Sequence, residues 1–383
     1  MVEKAIEHVG VGKNEIILDP FNGSGTTTLT AALNGYKSYG IEVNPFTSFL
    51  SATKTLNATK TDLVNLKHSL LNAVRKGEKS HLIGYSTFSK PGIKNKWLFN
   101  DSILTAFEGG WRFTETIESS NIKKFIQFAL ISSAMQNCNA RRDGKCLRYD
   151  IDCDQSSYDV ETFVDTLEAK LDVISEDIEN NIIAEQPQII NSDCRQVLNY
   201  AGNDLNKFKL CITSPPYLNT FDYTDIYRPE LFLGKFISNK EELYNHRLST
   251  VRSHVQAKWE LPTKSDFGFT YQENIKHILN NKEALMHKSI PLMVQAYFED
   301  MFNILRSLKD NAQKDAQIWF VVSNSAYANK EIPVDLIIGD IGCKAGWYLK
   351  EIGVMRQIGK RKTKYSPDIK ELRESVIIFS ASK

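Results

Sequence analysis

Seven short apolar runs closed by turn signals punctuate this chain, at residues 15–19, 38–42, 188–192, 209–213, 316–323, 348–353 and 375–380. Their lengths suit strands, and the stretches between most of them carry helical periodicity. The alternation predicts an α/β fold, an open and mainly parallel seven-stranded sheet with helices on both faces and ligands at the carboxyl ends of the strands. Two stretches break the rhythm. Residues 46–185 are helix-biased, with charged amphipathic runs at 121–134 and 161–178, and read as a helical subdomain inserted between the second and third strands. Residues 218–290, rich in aromatic and basic side chains, read as a second insertion. The sheet domain is then discontinuous, built from 1–45 and 186–383.

Composition narrows this picture. At 383 residues and 42% hydrophobic content the chain can bury a large core, and it exceeds one ordinary domain. Its 47 basic residues against 46 acidic ones create no global field for nucleic acid, so any such surface is a local patch. The segment Met1-Val2-Glu3-Lys4-Ala5-Ile6 lacks the apolar core of a signal peptide, and no apolar run reaches the roughly 20 residues that span a bilayer; a cytoplasmic protein with no membrane partner is expected. The 6 cysteines do not make a disulfide framework. Cys138, Cys146 and Cys153 cluster without a C-x-x-C pair, and the histidines show no ligand spacing, so no metal is expected.

Two of the strand ends carry chemistry. The first runs Ile16-Ile17-Leu18-Asp19-Pro20-Phe21-Asn22-Gly23-Ser24-Gly25-Thr26, a strand opening through a glycine loop into a helix, the arrangement that cradles nucleotide-like ligands against backbone N–H groups. It has no phosphate-loop lysine, and Thr28 stands where a dinucleotide fingerprint needs a third glycine, which argues against ATP or NAD. The next strand ends Gly40-Ile41-Glu42-Val43-Asn44-Pro45, and the Glu42 carboxylate can accept hydrogen bonds from both hydroxyls of a ribose. The second special end runs Leu210-Cys211-Ile212-Thr213-Ser214-Pro215-Pro216-Tyr217, placing a hydroxyl, two prolines and an aromatic ring after a strand. Cys211, inside that strand, reads as core, and there is no Pro-Cys nucleophile of the 5-methylcytosine kind.

Together these segments resemble the S-adenosylmethionine-dependent DNA amino-methyltransferases, which methylate cytosine N4 or adenine N6. The likeness covers the sheet-forming half of the chain and is strongest at the two loops and around Glu42. It implies a class I methyltransferase (Rossmann-like) fold and S-adenosylmethionine as cofactor. Asp19, Phe21, Gly23, Gly25 and Thr26 would then back the methionine moiety, with Glu42 and Asn44 at the ribose. Asp193, in Asn191-Ser192-Asp193, matches the position that approaches the adenine amine, while its bland alternative is to cap the next helix.

An amine on an aromatic base is a poor nucleophile because its lone pair is delocalised into the ring. The Ser214 hydroxyl and Pro215 carbonyl can accept its two hydrogens and localise that pair, Pro216 offers no competing N–H, and Tyr217 can stack on a flipped base. Serine at the first motif position points to cytosine N4; Asp or Asn is more usual for adenine N6. Double-stranded DNA with one base flipped is the expected partner. Its contacts are sought in Arg141, Arg142, Lys145 and Arg148, which surround a glycine turn, in Lys360 and Arg361, and in Tyr223, which with Arg228 lines the base pocket or belongs to a lid. Ser323-Asn324-Ser325-Ala326-Tyr327 is expected to line the pocket. Many relatives carry a further cofactor-binding segment before the glycine loop, so the expectation is that the sequence is truncated ahead of it, or that the segment comes from elsewhere in the chain or from a partner subunit. The enzyme is read as the modification arm of a restriction or defence system. The rival readings are an adenine-N6 enzyme, an RNA base methyltransferase, and a non-catalytic subunit that binds DNA or a partner.

Overall fold

The first apolar run forms a strand buried along its whole length, β1 (Ile16–Asp19), and the amphipathic helix Val2–Val9 lays Val2, Ala5 and Ile6 against Ile17. This computed structural model describes residues 1–90, 96–143, 146–150, 156–199, 207–359 and 363–383. The remaining sheet strands are β2 (Ser38–Glu42), β3 (Gln188–Asn191), β4 (Phe208–Thr213), β5 (Ala312–Ser323), β6 (Tyr348–Gly359) and β7 (Glu371–Ser380). They lie in the order β6-β7-β5-β4-β1-β2-β3. The pairs β1·β2, β1·β4, β2·β3 and β4·β5 are parallel, and only β7 runs against its neighbours β5 and β6. The expected α/β class and seven-stranded, mainly parallel sheet are therefore borne out.

The boundaries agree within about one residue for β1 to β4. β2 spans the expected residues, whereas β6 and β7 extend well past their apolar runs. The reason is backbone pairing: β6 and β7 share a ladder from Tyr348–Ser380 to Gly359–Glu371, and β6 is a mostly exposed edge whose outer half carries polar residues such as Arg356 and Gln357. Ladder bonds need no apolar side chains, so a hydrophobicity reading stops short of the true strand ends.

Contacts divide the described chain into two units. The first comprises Met1–Ser51, Ala184–Asp222 and Tyr244–Lys383; the second comprises Ala52–Ile183 and Tyr223–Leu243. In the first, helix Ile290–Asp310 buries Tyr297, Phe298, Met301 and Leu305 in a core with Phe320 of β5, Ile377 and Phe379 of β7, and Ile337, Ile338 and Ile341 of helix Val334–Lys344. Full burial of each such side chain stabilises the fold by roughly 1.5–3 kcal/mol.

The second unit is helical. Lys60–Lys76, Asp101–Thr114, Ser120–Gln136 and Val160–Asn180 bury Leu70, Phe107, Ile126 and Leu167 among others. The longest starts at a reciprocal cap, Asp159 accepting from the Thr162 N–H while the Thr162 hydroxyl accepts from the Asp159 N–H. A two-stranded ribbon, Ala140–Asp143 against Cys146–Tyr149, completes it. The stretch 218–290, read as one insertion, is split: Tyr223–Leu243 belongs to the helical unit, where Phe232 packs on Phe88 with ring centres 5.1 Å apart, while Tyr244 onward belongs to the sheet unit. Among the described residues no helix is long and apolar enough to cross a membrane.

Candidate active site at the carboxyl ends of three strands

β1, β2 and β4 are neighbours in the sheet and parallel, so Asp19, Glu42 and Thr213 end on the same edge. The chain leaves β1 through Pro20–Ser24 and enters helix Thr26–Leu33 at Gly25, whose φ of 83° is left-handed. A Cβ on Gly25 would stand 2.7 Å from the Ser51 Cβ, so both conformation and space require glycine. Gly40 answers a different need: a Cβ there would lie 2.5 Å from the Asn22 carboxamide carbon, and its absence lets β2 pass close beside the loop.

Glu42 organises the loop. Its Oε2 accepts from the Gly23 N–H at 2.7 Å and its Oε1 from the Asn44 N–H at 2.8 Å. Burial raises its carboxyl above the usual range, and these two backbone donors work against that rise. The Thr47 hydroxyl is a third donor to this carboxylate, and a ribose hydroxyl can use the lone pair that remains. Asn44 has less to offer a ligand than its position suggested. Its side-chain oxygen accepts from the Phe46 N–H at 3.0 Å, capping the helix that starts at Pro45. Around the loop a polar ligand fits the groups present: the atom nearest to where a Gly23 Cβ would be is Phe21 O at 3.9 Å, and the buried Asn22 Nδ2 has no hydrogen-bond partner among the described residues.

Asp19 turns inward. Its Oδ1 accepts from the Thr213 hydroxyl at 2.7 Å and from the Phe21 N–H at 3.1 Å, joining the ends of β1 and β4. Burial pushes its carboxyl up to about 6 despite these donors. This makes Asp19 a brace between the two loops. Thr26 is exposed at the start of its helix.

Asp193 does cap the helix Cys194–Val197, accepting from the Arg195 N–H at 2.9 Å. Its carboxylate is also held by the Arg195 guanidinium, with 2.7 Å from the terminal nitrogen to Oδ2. Arg195 continues to Asp300 at 3.1 Å and to the carbonyls of Ser249 and Thr250. Asp300 in turn accepts from Arg252, which reaches Glu299 as well. Sequence reading missed this network. Arg195 follows a named residue by two positions and Arg252 lies in the basic stretch of the second insertion, but Asp300 carried no signal beyond being charged.

After β4, Ser214 is exposed and Pro215 buried. The Tyr217 hydroxyl lies 3.2 Å from the Ser214 hydroxyl and 2.8 Å from Glu374 Oε1. Tyr327, at the end of the short strand Ser325–Tyr327 that follows β5, donates from its hydroxyl to the Leu218 carbonyl at 2.9 Å and so buttresses the loop. Cys211 is fully buried, and burial pushes its thiol well above the usual range, in keeping with a core residue.

The basic residues fall in the helical unit or outside the described residues. In the ribbon, Arg141 and Arg148 stand directly opposite each other. The Arg141 side chain is 83% exposed, with Asp150 at 3.8 Å. Arg142 is more committed: it pairs with the buried Glu230 and sits 5.0 Å over the Tyr227 ring. Arg228 bonds Thr87 and the Tyr149 hydroxyl. Tyr223 opens a one-turn helix. Lys145, Lys360 and Arg361 lie outside the described residues, as does Cys153. Among the described residues no group of His, Cys, Asp and Glu could hold a metal ion.

Comparison with known proteins follows the geometry. A DNA methylase family model matches residues 1–50, the segment that holds the glycine loop and Glu42. The type II methyltransferase M.BsoBI of Geobacillus stearothermophilus is 26% identical over 90% of this chain and 76% of its own length. The type II methyltransferase M.AvaI of a Nostoc species is 24% identical over 89% of this chain and 75% of its own. A shorter match, 37% identical over 26% of this chain and 18% of the relative, links it to the type II methyltransferase M.MjaII of Methanocaldococcus jannaschii. It is therefore the amino-methyltransferase family that the chain resembles, along nine tenths of its length and not at two loops alone.

Proposed function

We propose that this chain methylates the exocyclic amine of a base flipped out of double-stranded DNA, with cytosine N4 as the target, as the modification enzyme of a restriction system. The observation that carries the reading is the convergence of the glycine loop, Glu42 and Ser214-Pro215-Pro216-Tyr217 at the ends of β1, β2 and β4 on one sheet edge. The relatives named above are type II methyltransferases, which supports DNA as the substrate.

S-adenosylmethionine, when bound, supplies an electrophilic methyl on a sulfonium. The chain's own residues do the rest. With it bound, Glu42 would accept the ribose hydroxyls, the Gly23–Gly25 loop would let the ligand approach the backbone, and Asp193, held in place by Arg195, would meet the adenine amine. Ser214 Oγ and the Pro215 carbonyl accept the two hydrogens of the target amine, turning its nitrogen toward a tetrahedral geometry with the lone pair directed at the methyl. Holding that geometry is the catalytic contribution, because attack requires the pair out of the ring. The Tyr217 ring stacks on the extruded base and offsets part of the unstacking cost, roughly 1–3 kcal/mol per stacked base. In this reading the helical unit supplies DNA contacts, with Arg141 and Arg148, which face each other on its ribbon, as phosphate ligands.

The test incubates the protein with methyl-labelled S-adenosylmethionine and unmethylated genomic DNA and resolves the nucleosides by mass spectrometry, with Ser214→Ala alongside. N4-methylcytosine that disappears in the variant is the expected result. N6-methyladenine would keep the mechanism and overturn the base assignment; label in a parallel incubation with total RNA, and none in DNA, would overturn the substrate.

A further inference from the structure

Glu374 took no part in the sequence reading, and it belongs to β7, 157 residues from Tyr217. In the ladder it faces Ser323 of β5 on one side and Arg356 of β6 on the other. Because β7 runs antiparallel to its neighbours, its beginning lies at the edge where the parallel strands end, which brings Glu374 to the proline loop. Its side chain is 9% exposed. One oxygen accepts from the Tyr217 hydroxyl at 2.8 Å, and the other accepts from Arg356 Nε at 2.6 Å.

The chemistry of these groups gives the chain of bonds a direction. A carboxylate has no hydrogen to donate, so Tyr217 must donate to it. Tyr217 has one hydrogen, and with that committed its oxygen can meet Ser214 only as an acceptor. The Ser214 hydroxyl, 3.2 Å away, therefore spends its own hydrogen on Tyr217. What Ser214 has left for any incoming group is lone pairs. A serine free of this constraint can rotate its hydrogen toward the target amine and donate to the nitrogen, which occupies the electron pair that must attack.

We propose that Glu374 is a positioning residue, anchored by Arg356, that sets the polarity of the Tyr217 and Ser214 hydroxyls so that Ser214 presents an acceptor to the target amine. The inference rests on the function proposed above, in which Ser214 accepts a hydrogen from that amine. It also explains why the aromatic residue of the loop carries a hydroxyl, since stacking alone would be served by a phenylalanine.

The experiment measures kcat and KM for both substrates in the wild-type chain, Glu374→Gln, Tyr217→Phe and the double variant. Glutamine keeps the shape of Glu374 but can donate to Tyr217, which reverses the chain, and phenylalanine keeps the ring but cuts it. Each single variant is expected to lower kcat about tenfold, the scale of one net hydrogen bond, with KM for S-adenosylmethionine unchanged. The double variant should be no slower than the slower single one. Unchanged kcat in Tyr217→Phe, a rise in cofactor KM in place of the fall in kcat, or effects that multiply in the double variant would each overturn the proposal. Should Glu374→Gln fail to fold, Tyr217→Phe still decides, because it leaves the Glu374–Arg356 pair intact. A wild-type chain that methylates no DNA defeats the proposed function and this inference with it, whereas turnover indifferent to Glu374 and Tyr217 defeats this inference alone.

Discussion

The glycine loop and the proline loop leave neighbouring strands on one edge of the same sheet, yet they are held in opposite ways. The first is wired locally: Gly23 and Asn44 bond Glu42, and the partners lie within 19 positions of one another. The second is wired across the chain, Tyr217 to Glu374 over 157 positions and Tyr327 to Leu218 over 109. A ligand cradle can be encoded in one strand–loop–helix–strand segment, because its shape comes from backbone. The proline loop presents hydroxyls, and the carboxylate that accepts from its Tyr217 comes from a strand far along the chain.

The largest expected effect tests the local wiring. Glu42→Ala removes the acceptor of two backbone N–H groups and of the ribose hydroxyls, and should weaken S-adenosylmethionine binding about a thousandfold, ~4 kcal/mol, in a calorimetric titration. Binding that survives would remove the glycine loop as the cofactor cradle.

Asp19 tests the brace between the loops. With its carboxyl pushed up to about 6 by burial, the folded chain holds a proton that the unfolded chain has already released between the ordinary carboxylate range and pH 6. Stability from this group therefore falls as pH rises through that window, by ~3 kcal/mol in all. Asp19→Asn should abolish that fall, so its stability relative to wild type in urea unfolding should be better at pH 7.5 than at pH 4. A pH-independent difference would refute the assignment. His246 acts in the opposite sense: burial lowers its imidazole to about 4, so the unfolded chain takes up the proton first and stability drops as pH falls from the usual imidazole range toward 4. With Asp19 replaced, this acid loss should stand out more steeply than in wild type.

Two smaller effects sharpen the contrast. Gly25→Ala places a Cβ at φ 83° and 2.7 Å from Ser51, and should destabilise the fold by about 2 kcal/mol, read as a lower unfolding midpoint. Thr213→Val takes one donor from the buried Asp19 at the seam between the loops and should cost about 1 kcal/mol in the same measurement. If Thr213→Val proves the more damaging of the two, the seam matters more than the turn.

How much of this could be read in advance varies with the distance over which each feature is made. The seven-stranded α/β sheet was legible because each core strand is a short apolar run, and Gly23, Gly25 and Glu42 because turn chemistry is local. The extensions of β6 and β7 were not, since they are made by pairing between polar residues. The helix cap made by Asn44 and the pairing of Arg142 with Glu230 gave no sign in the sequence, where both residues were read as ligand contacts. The insertion 218–290 was read as one piece because it has one composition, while its two parts pack into different units.

By itself the sequence determined the α/β sheet, the glycine turn beside Glu42, and the hydroxyl–proline–aromatic loop, because apolar period, left-handed turns and missing N–H groups are properties of a few adjacent residues. Tertiary structure alone decided that Asp19 braces Thr213, that Arg195 links Asp193 to Asp300, and that Glu374 directs Tyr217. Those bonds join charged or hydroxyl side chains whose partners are chosen by strand order, and strand order brings together residues that no local pattern relates.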